Sequence, residues 1–263
     1  MRKGARNCRV RSEKDSVLSL GGCAVAEALL LSFLAGLAMV VGGLAAASQQ
    51  SGAGWLAREL RHAVIAFGGG ALLAAVALVM VPDGLKFLSA AGATVSFAAG
   101  ALCFMGADWL VQRSGGSAAQ LMAMLLDFVP EAVALGAAFA SGSAAGPLLA
   151  FLIGLQNLPE GFNAFHEIRA KGTSSRRRVL TTFVLLSLLG PAAAWLGITT
   201  LGEKPALLAY LMMFSGGGIL YLTFQDIAPQ AKLERAWGPA LGAVAGFLLG
   251  LLGQVLLIGG GTG

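Results

Sequence analysis

Residues 119–141, AQLMAMLLDFVPEAVALGAAFAS, and residues 147–168, PLLAFLIGLQNLPEGFNAFHEI, decide the fold of this chain. Each stretch is an apolar run of the length that crosses a bilayer. Each also carries a Pro-Glu pair near its middle, Pro130–Glu131 and Pro159–Glu160. A charged carboxylate at the centre of a membrane costs at least about 2.5–3.5 kcal/mol. Acids at this depth therefore indicate a functional site.

The composition of the whole chain agrees with a membrane protein. The 263 residues are 57% hydrophobic and 12% charged, about half the charge of an ordinary soluble domain. The 38 glycines show no collagen period, and small residues allow membrane helices to approach closely. The cysteines, Cys8, Cys23 and Cys103, are scattered and form no CxxC pair, so no thiolate zinc site is indicated.

The apolar runs predict an all-α, polytopic membrane protein with eight transmembrane helices. They fall at 23–47, 62–82, 87–111, 119–141, 147–168, 179–200, 205–226 and 236–258. Residues 1–20 are predicted to be a disordered basic tail, and residues 21–263 a single membrane domain. Residues 67–84 and 215–230 share a Gly triplet, an apolar stretch and a late Pro. This echo favours an inverted repeat, spans 1–3 against spans 6–8 around two central helices.

The basic residues of the loops predict the orientation. The loops after spans one, three, five and seven hold ten Lys or Arg residues, whereas the other loops hold Lys86 and Lys204. This bias predicts a multi-pass protein of the cytoplasmic (inner) membrane with both termini outside the cytoplasm. The six basic residues of the tail oppose it, since they would then be external.

The polar residues of the two central spans share one spacing. Asp127 and Glu131 are four residues apart, as are Gln156 and Glu160, so each pair lies on one helical face. Each proline also frees a backbone carbonyl one turn earlier. No Lys or Arg lies at the centre of a span, so a bound cation or protonation must neutralise the acids. The alternative is a pair of proline kinks whose neutral acids hold helices together by hydrogen bonds.

QNLPEG at 156–161 resembles the fifth-span motif of the ZIP (Zrt/Irt-like) divalent-metal transporters, especially their bacterial GufA-like branch. DFVPEA at 127–132 resembles a degenerate form of the fourth-span motif HNxPEG. The resemblance covers nearly the whole chain and implies eight spans with external termini. It also implies an elevator-type movement, in which spans one, four, five and six carry the metal past the other four.

The resemblance implies one metal site here. Its ligands would be Asp127, Glu131, Gln156 and Glu160. A second site of the family is incomplete: Phe128 stands where the family has an Asn ligand, and Gly190 where it often has a Glu. Of that second site Asn157 alone remains.

The donor set affects which metal is expected. Three carboxylates and an amide are hard oxygen ligands that suit Mn²⁺, Mg²⁺, Ca²⁺ or Fe²⁺ better than zinc. Zinc, the usual metal of the family, also binds carboxylates and therefore stays among the candidate substrates. The expected substrate is a divalent metal ion, with Zn, Fe, Mn and Cd as the candidates. Membrane lipid is the other expected partner, a homodimer is compatible, and the one compact basic run, Arg176–Arg178, argues against nucleic acid.

Four further residues are candidates for the transport pathway. Glu27 lies near the external end of the first span, and the first helix lines the path in ZIP proteins. His166 and Glu167 lie about 15 Å beyond Gln156 toward the cytoplasm. Asp226 lies at the cytoplasmic end of the seventh span. The alternative for each is a polar residue at the level of the lipid headgroups.

The predicted function is therefore uptake of a divalent metal cation through one carboxylate-rich site at the membrane centre. Two alternatives stay open: a membrane protein that binds or senses metal without moving it, and a proton-coupled carrier of a small solute. An enzyme is not expected, because the two histidines, His62 and His166, are far apart in the chain.

Overall fold

The computed structural model describes residues 2–48, 55–114, 117–143, 145–170, 172, 174–233 and 237–257. These ranges contain long helices joined by short connections. The helices are α1 (Arg2–Ser48), α2 (Trp55–Ala75), α3 (Ala90–Ser114), α4 (Ser117–Ala140), α5 (Ala145–Ala170), α6 (Arg176–Ser187, continued by Leu189–Leu201), α7 (Pro205–Leu222) and α8 (Gly238–Leu257). The predicted all-α class is confirmed.

In the described residues, six helical segments are long and apolar enough to cross a membrane. They are Gly22–Ser48, Glu59–Leu85, Ala90–Arg113, Arg176–Leu201, Pro205–Ala231 and Gly238–Leu256. The central helices α4 and α5 bring the candidates to between six and eight, and in α5 the polar residues Gln156, Asn157 and Glu160 interrupt the apolar run. The structure thus confirms a multi-pass protein, while the count of eight stays a prediction.

The first helix begins earlier than the sequence predicts. Its backbone is helical from Arg2, through the tail that was expected to be disordered. The segment contains no proline, and Arg, Lys and Glu are good helix formers, so nothing in it stops the helix. The division into a tail and a membrane domain stays a prediction.

Helices α2 and α7 share an irregularity. Each passes through a π-helical turn, Val76–Met80 in α2 and Thr223–Ile227 in α7, and then continues for one short α-helical segment. A proline stands just beyond each turn, Pro82 and Pro229. The proline ring clashes with the carbonyl four residues earlier and displaces it, which favours the wider turn. The sequence echo between these helices thus corresponds to a shared irregularity.

The helices associate as two groups of four. Helices α1, α4, α5 and α6 pack on one another, as do α2, α3, α7 and α8. The most extensive pairs are α1 with α5, α2 with α8, α3 with α7, and α4 with α6. Each pair contains reciprocal glycines at which an added Cβ would overlap a backbone carbonyl of the partner helix. These glycines are Gly42 and Gly161, Gly70 and Gly246, Gly100 and Gly217, and Gly136 and Gly197.

The two groups meet at the depth of the Pro-Glu pairs. Helix α2 packs on α5, and α4 packs on α7. A Cβ added at Gly68 of α2 would lie 2.8 Å from the Cγ of Pro159. Pro159 of α5 therefore lies against a glycine of the other group.

Candidate metal centre

The central contact of the site joins α4 to α5. The side-chain amide of Gln156 donates a hydrogen bond of 2.5 Å to Oε2 of Glu131. Neither side chain is exposed. The two Pro-Glu motifs therefore meet at one depth, as the sequence predicts, because the polar residues occupy the facing sides of the two helices.

The remaining acids lie next to this contact. Asp127 is 7% exposed, and its Oδ1 accepts a hydrogen bond of 2.8 Å from the backbone N–H of Phe128. Asp127 acts electrostatically on both Glu131 and Glu160, and Glu131 acts on Glu160. The i, i+4 spacing within α4 and the packing of α5 thus bring three carboxyl groups into one cluster.

Several oxygen atoms of this cluster are buried without a hydrogen-bond partner among the described residues. They are Oε1 of Glu131, Oε1 of Gln156, Oδ1 of Asn157, and both carboxylate oxygens of Glu160, whose polar neighbour is the carboxyl group of Asp127. A buried acceptor without a donor costs about 1–3 kcal/mol. Five such acceptors on neighbouring buried residues make this region electronegative, and a cation can satisfy them.

The geometry of the cluster is looser than that of a preformed metal site. In the part of the chain that the structure describes, no three His, Cys, Asp or Glu side chains are close enough to hold a metal ion. Oε2 of Glu131 accepts the hydrogen bond from Gln156, and Oδ1 of Asp127 accepts the hydrogen bond from the backbone N–H of Phe128. Coordination of a cation therefore requires these side chains to exchange their present hydrogen bonds.

Asn157 connects the cluster to α1. Its side-chain N–H donates a hydrogen bond of 2.9 Å to the carbonyl oxygen of Ala35, and the residue is 1% exposed. Its side-chain oxygen is one of the atoms without a partner. Asn157 thus joins α5 to α1, and its side-chain oxygen stays available.

Phe128 fills the space between α1, α4 and α6. The residue is fully buried. A Cβ added at Gly190 would lie 2.9 Å from the Cζ of Phe128 and 2.6 Å from the carbonyl oxygen of Ser32. A Cβ at Gly36 would lie 3.1 Å from the same ring atom. An apolar ring therefore occupies the region beside Gly190, where the resemblance implies that the family often has a Glu.

The predicted pathway residues separate into two sets. Glu27 lies on the exposed side of α1 and is not brought to the cluster. Asp226 lies in the π-helical turn of α7 and acts electrostatically on Asp127. Glu167 lies close enough to act on Asp226, while His166 packs edge-on against Phe162 with its Nε2 buried and unpartnered in the described structure.

Sequence reasoning missed the polar residues that surround this second set. Asn163 joins Arg61, Glu167 and Gln230 by hydrogen bonds. The carboxylate of Asp108, on α3, accepts hydrogen bonds from Gln112 at 2.8 Å and from the hydroxyl of Tyr221 at 3.2 Å. The i, i+4 spacing of Asn163 with Glu167, and of Asp108 with Gln112, is the sequence signal that was available.

Comparison with known proteins identifies one similar protein over half the chain. The zinc transporter GufA of Myxococcus xanthus is 32% identical over 136 residues, which are 50% of this chain and 52% of the relative. The chain thus matches about half the length of this curated relative. No protein-family model matches the chain. The predicted resemblance to the GufA-like branch is confirmed, and the missing family-model match fits a divergent sequence.

Proposed function

We propose that this divergent relative of the GufA-like proteins transports a divalent metal cation across the cytoplasmic membrane. The observation that carries the proposal is the buried cluster of Asp127, Glu131 and Glu160, whose neighbouring oxygens lack hydrogen-bond donors. A cation neutralises such a cluster during its passage. The similarity to a protein named as a zinc transporter supports transport rather than catalysis.

The substrate in this proposal is one of Zn²⁺, Fe²⁺, Mn²⁺ and Cd²⁺. The relative favours zinc. The donor set favours harder ions, because the cluster contains carboxylate and amide oxygens with no imidazole or thiolate. The ligands are Asp127, Glu131, Gln156 and Glu160, with the side-chain oxygen of Asn157 beside them.

One cation binds at a time in this proposal. The buried ring of Phe128 takes up the room beside Gly190, and neither residue offers a ligand. The hydrogen bond from Asn157 to α1 further reduces what is left for a second ion. Both observations support a single site.

The division into two helix groups supports an elevator-type movement. The cluster is built on α4 and α5, which belong with α1 and α6, and the other four helices form the group that it would move past. The pairing of α2 with α8 matches the pairing of α7 with α3, as an inverted repeat requires. The bias of basic residues toward the predicted inner loops supports external termini.

Uptake into proteoliposomes tests the proposal. The panel is Mn²⁺, Fe²⁺, Zn²⁺, Cd²⁺ and Mg²⁺, for the wild type, Glu131→Gln/Glu160→Gln and the control Glu203→Gln, which changes an exposed loop acid. We expect uptake of at least one metal by the wild type and the control, and none by the double variant. Equal background flux in all three proteins contradicts transport. Metal binding without uptake would support the sensing alternative, and metal-independent proton flux with a solute would support the carrier alternative.

A further inference from the structure

A group of hydrogen-bonded polar residues crosses the boundary between the two helix groups. It lies about one turn of α5 beyond Glu160 of the candidate metal centre, toward the C-terminal end of that helix. The Nη2 of Arg61, on α2, donates a hydrogen bond of 3.5 Å to Oδ1 of Asn163 on α5. The Nδ2 of Asn163 donates to Oε1 of Glu167 at 2.9 Å and to Oε1 of Gln230 at 2.6 Å. We call these four residues the Asn163 bridge. Its central amide lies between a positive group and a negative group, and Asn163 is 8% exposed.

Acidic groups of the metal centre and of this bridge influence one another electrostatically through Asp226. Asp226 acts electrostatically on Asp127 in the centre, and Glu167 and Asp108 act on Asp226. His166, whose Nε2 is buried without a partner, is adjacent to Glu167. Imidazole nitrogen and carboxylate oxygen are good ligands for divalent metals. The three side chains are not close enough to hold an ion together in the described structure, so a cation that leaves the centre on this side would meet His166, Glu167 and Asp226 one after another.

Each of these ligands would be expected to retain a passing cation, and a positive charge lies near two of them, His166 and Glu167. Arg61 acts electrostatically on His166 and reaches Glu167 through the amide of Asn163. A guanidinium stays charged at any physiological pH, and it repels a divalent cation twice as strongly as a monovalent one. Passage through a membrane protein requires sites that bind weakly enough to release the ion.

We propose that Arg61, held in place by Asn163, is a fixed positive charge that prevents His166, Glu167 and Asp226 from trapping the transported metal. This inference rests on the proposed function. It assigns Arg61 a role in release and gives Asn163 a positioning role. A bridge that only fastened the two helix groups together would need the hydrogen bonds but not the charge.

Two substitutions separate these roles. Arg61→Gln removes the charge, whereas Arg61→Lys keeps the charge but shortens the side chain and loses the guanidinium geometry. We expect Arg61→Gln to bind a second equivalent of Cd²⁺, at least about tenfold more tightly than any second binding to the wild type. We expect Arg61→Lys to bind as the wild type does. Arg61→Gln/Glu167→Gln should lose the second equivalent.

Equilibrium dialysis of Cd²⁺ with purified, detergent-solubilised protein measures the stoichiometry, and proteoliposome uptake measures the maximal rate. The Arg61→Gln variant should have a lower maximal uptake rate than the wild type, because the metal ion leaves His166, Glu167 and Asp226 more slowly. The control Arg113→Gln removes a charge that lies 3.8 Å over the Trp109 ring, away from the bridge, and should match the wild type. If Arg61→Gln does not fold, Asn163→Leu, which releases Arg61 from its position and adds no ligand of its own, should produce the same second equivalent.

The outcomes are distinct. A wild type that binds and transports metal, with Arg61→Gln unchanged in stoichiometry and rate, overturns this inference alone. Arg61→Lys that behaves like Arg61→Gln also overturns it, because the hydrogen bonds rather than the charge are then essential. A wild type that binds no Cd²⁺, Zn²⁺ or Mn²⁺ contradicts the proposed function and the inference with it.

Discussion

Glu131 and Gln156 share one hydrogen bond at the centre of the molecule. Replacing Gln156 by Leu keeps the volume but leaves the Glu131 carboxyl buried without its donor. We expect a loss of about 1–3 kcal/mol in the free energy of unfolding. Thermal unfolding in detergent measures it. Gln254→Leu is the matched control: it removes a buried oxygen that already has no partner, so its midpoint should stay the same or rise. Equal losses in both variants would contradict the role given to Gln156.

Phe128 makes a second prediction at the scale of single residues. Phe128→Ala removes a fully buried ring between three helices, and the neighbouring Gly36 and Gly190 have no side chains that could fill the space. We expect a loss of about 3–5 kcal/mol. Phe224→Ala, at a residue that is 62% exposed, should lose much less in the same unfolding measurement. A small loss at Phe128 would show that its ring does not fill this space tightly.

The sequence was informative about residues that obey a local spacing rule. The i, i+4 pairs predicted which polar side chains share a face of one helix, because helical geometry alone determines that. It did not predict that Asn157 donates to Ala35, nor that Asn163 joins three helices. Those contacts depend on which helices become neighbours, and spacing within one helix carries no information about that.

At the scale of helices, the glycine triplet of α2 faces three different neighbours. A Cβ added at Gly68 would approach Pro159 of α5, one at Gly69 would lie 3.0 Å from Ile227 of α7, and one at Gly70 would overlap α8. Within the triplet, Gly68 is therefore the residue that lies against the opposite helix group. Under the proposed elevator-type movement, the small size of Gly68 would allow α5 to slide along α2.

Gly68→Val should obstruct that sliding while leaving the ligands in place. We expect metal binding close to the wild type and uptake near background. Equilibrium dialysis and proteoliposome uptake on the same preparation measure the two properties. Gly106→Val, where an added Cβ meets nothing within 4 Å, is the control and should transport normally. Normal uptake by Gly68→Val would argue against movement at this contact.

The helices themselves were largely predictable, while their irregularities were not. Spanning length and hydropathy located the apolar segments. Pro82 and Pro229 indicated an interruption in α2 and α7, yet not its form, since the displaced carbonyl can be accommodated by a kink, a break or a π-helical turn.

For the whole molecule, the two-group arrangement predicts where a covalent link stops transport. A Cβ added at Gly253 of α8 would lie 3.0 Å from the Phe151 ring of α5, across the boundary between the groups. Gly218 and Phe104 make a similar contact inside one group. In a background without Cys8, Cys23 and Cys103, a bifunctional thiol reagent should abolish uptake by Phe151→Cys/Gly253→Cys and spare Phe104→Cys/Gly218→Cys. Inhibition of both variants, or of neither, would contradict the elevator-type movement.

The ring of Phe128 also bears on how a cell would experience this protein. Under the proposed function the protein has one binding site for the transported ion, so binding of that ion cannot be cooperative. The dependence of flux on external concentration is then a simple hyperbola without a threshold. Uptake then follows the external metal concentration in a graded way and saturates at a level set by the number of transporters in the membrane.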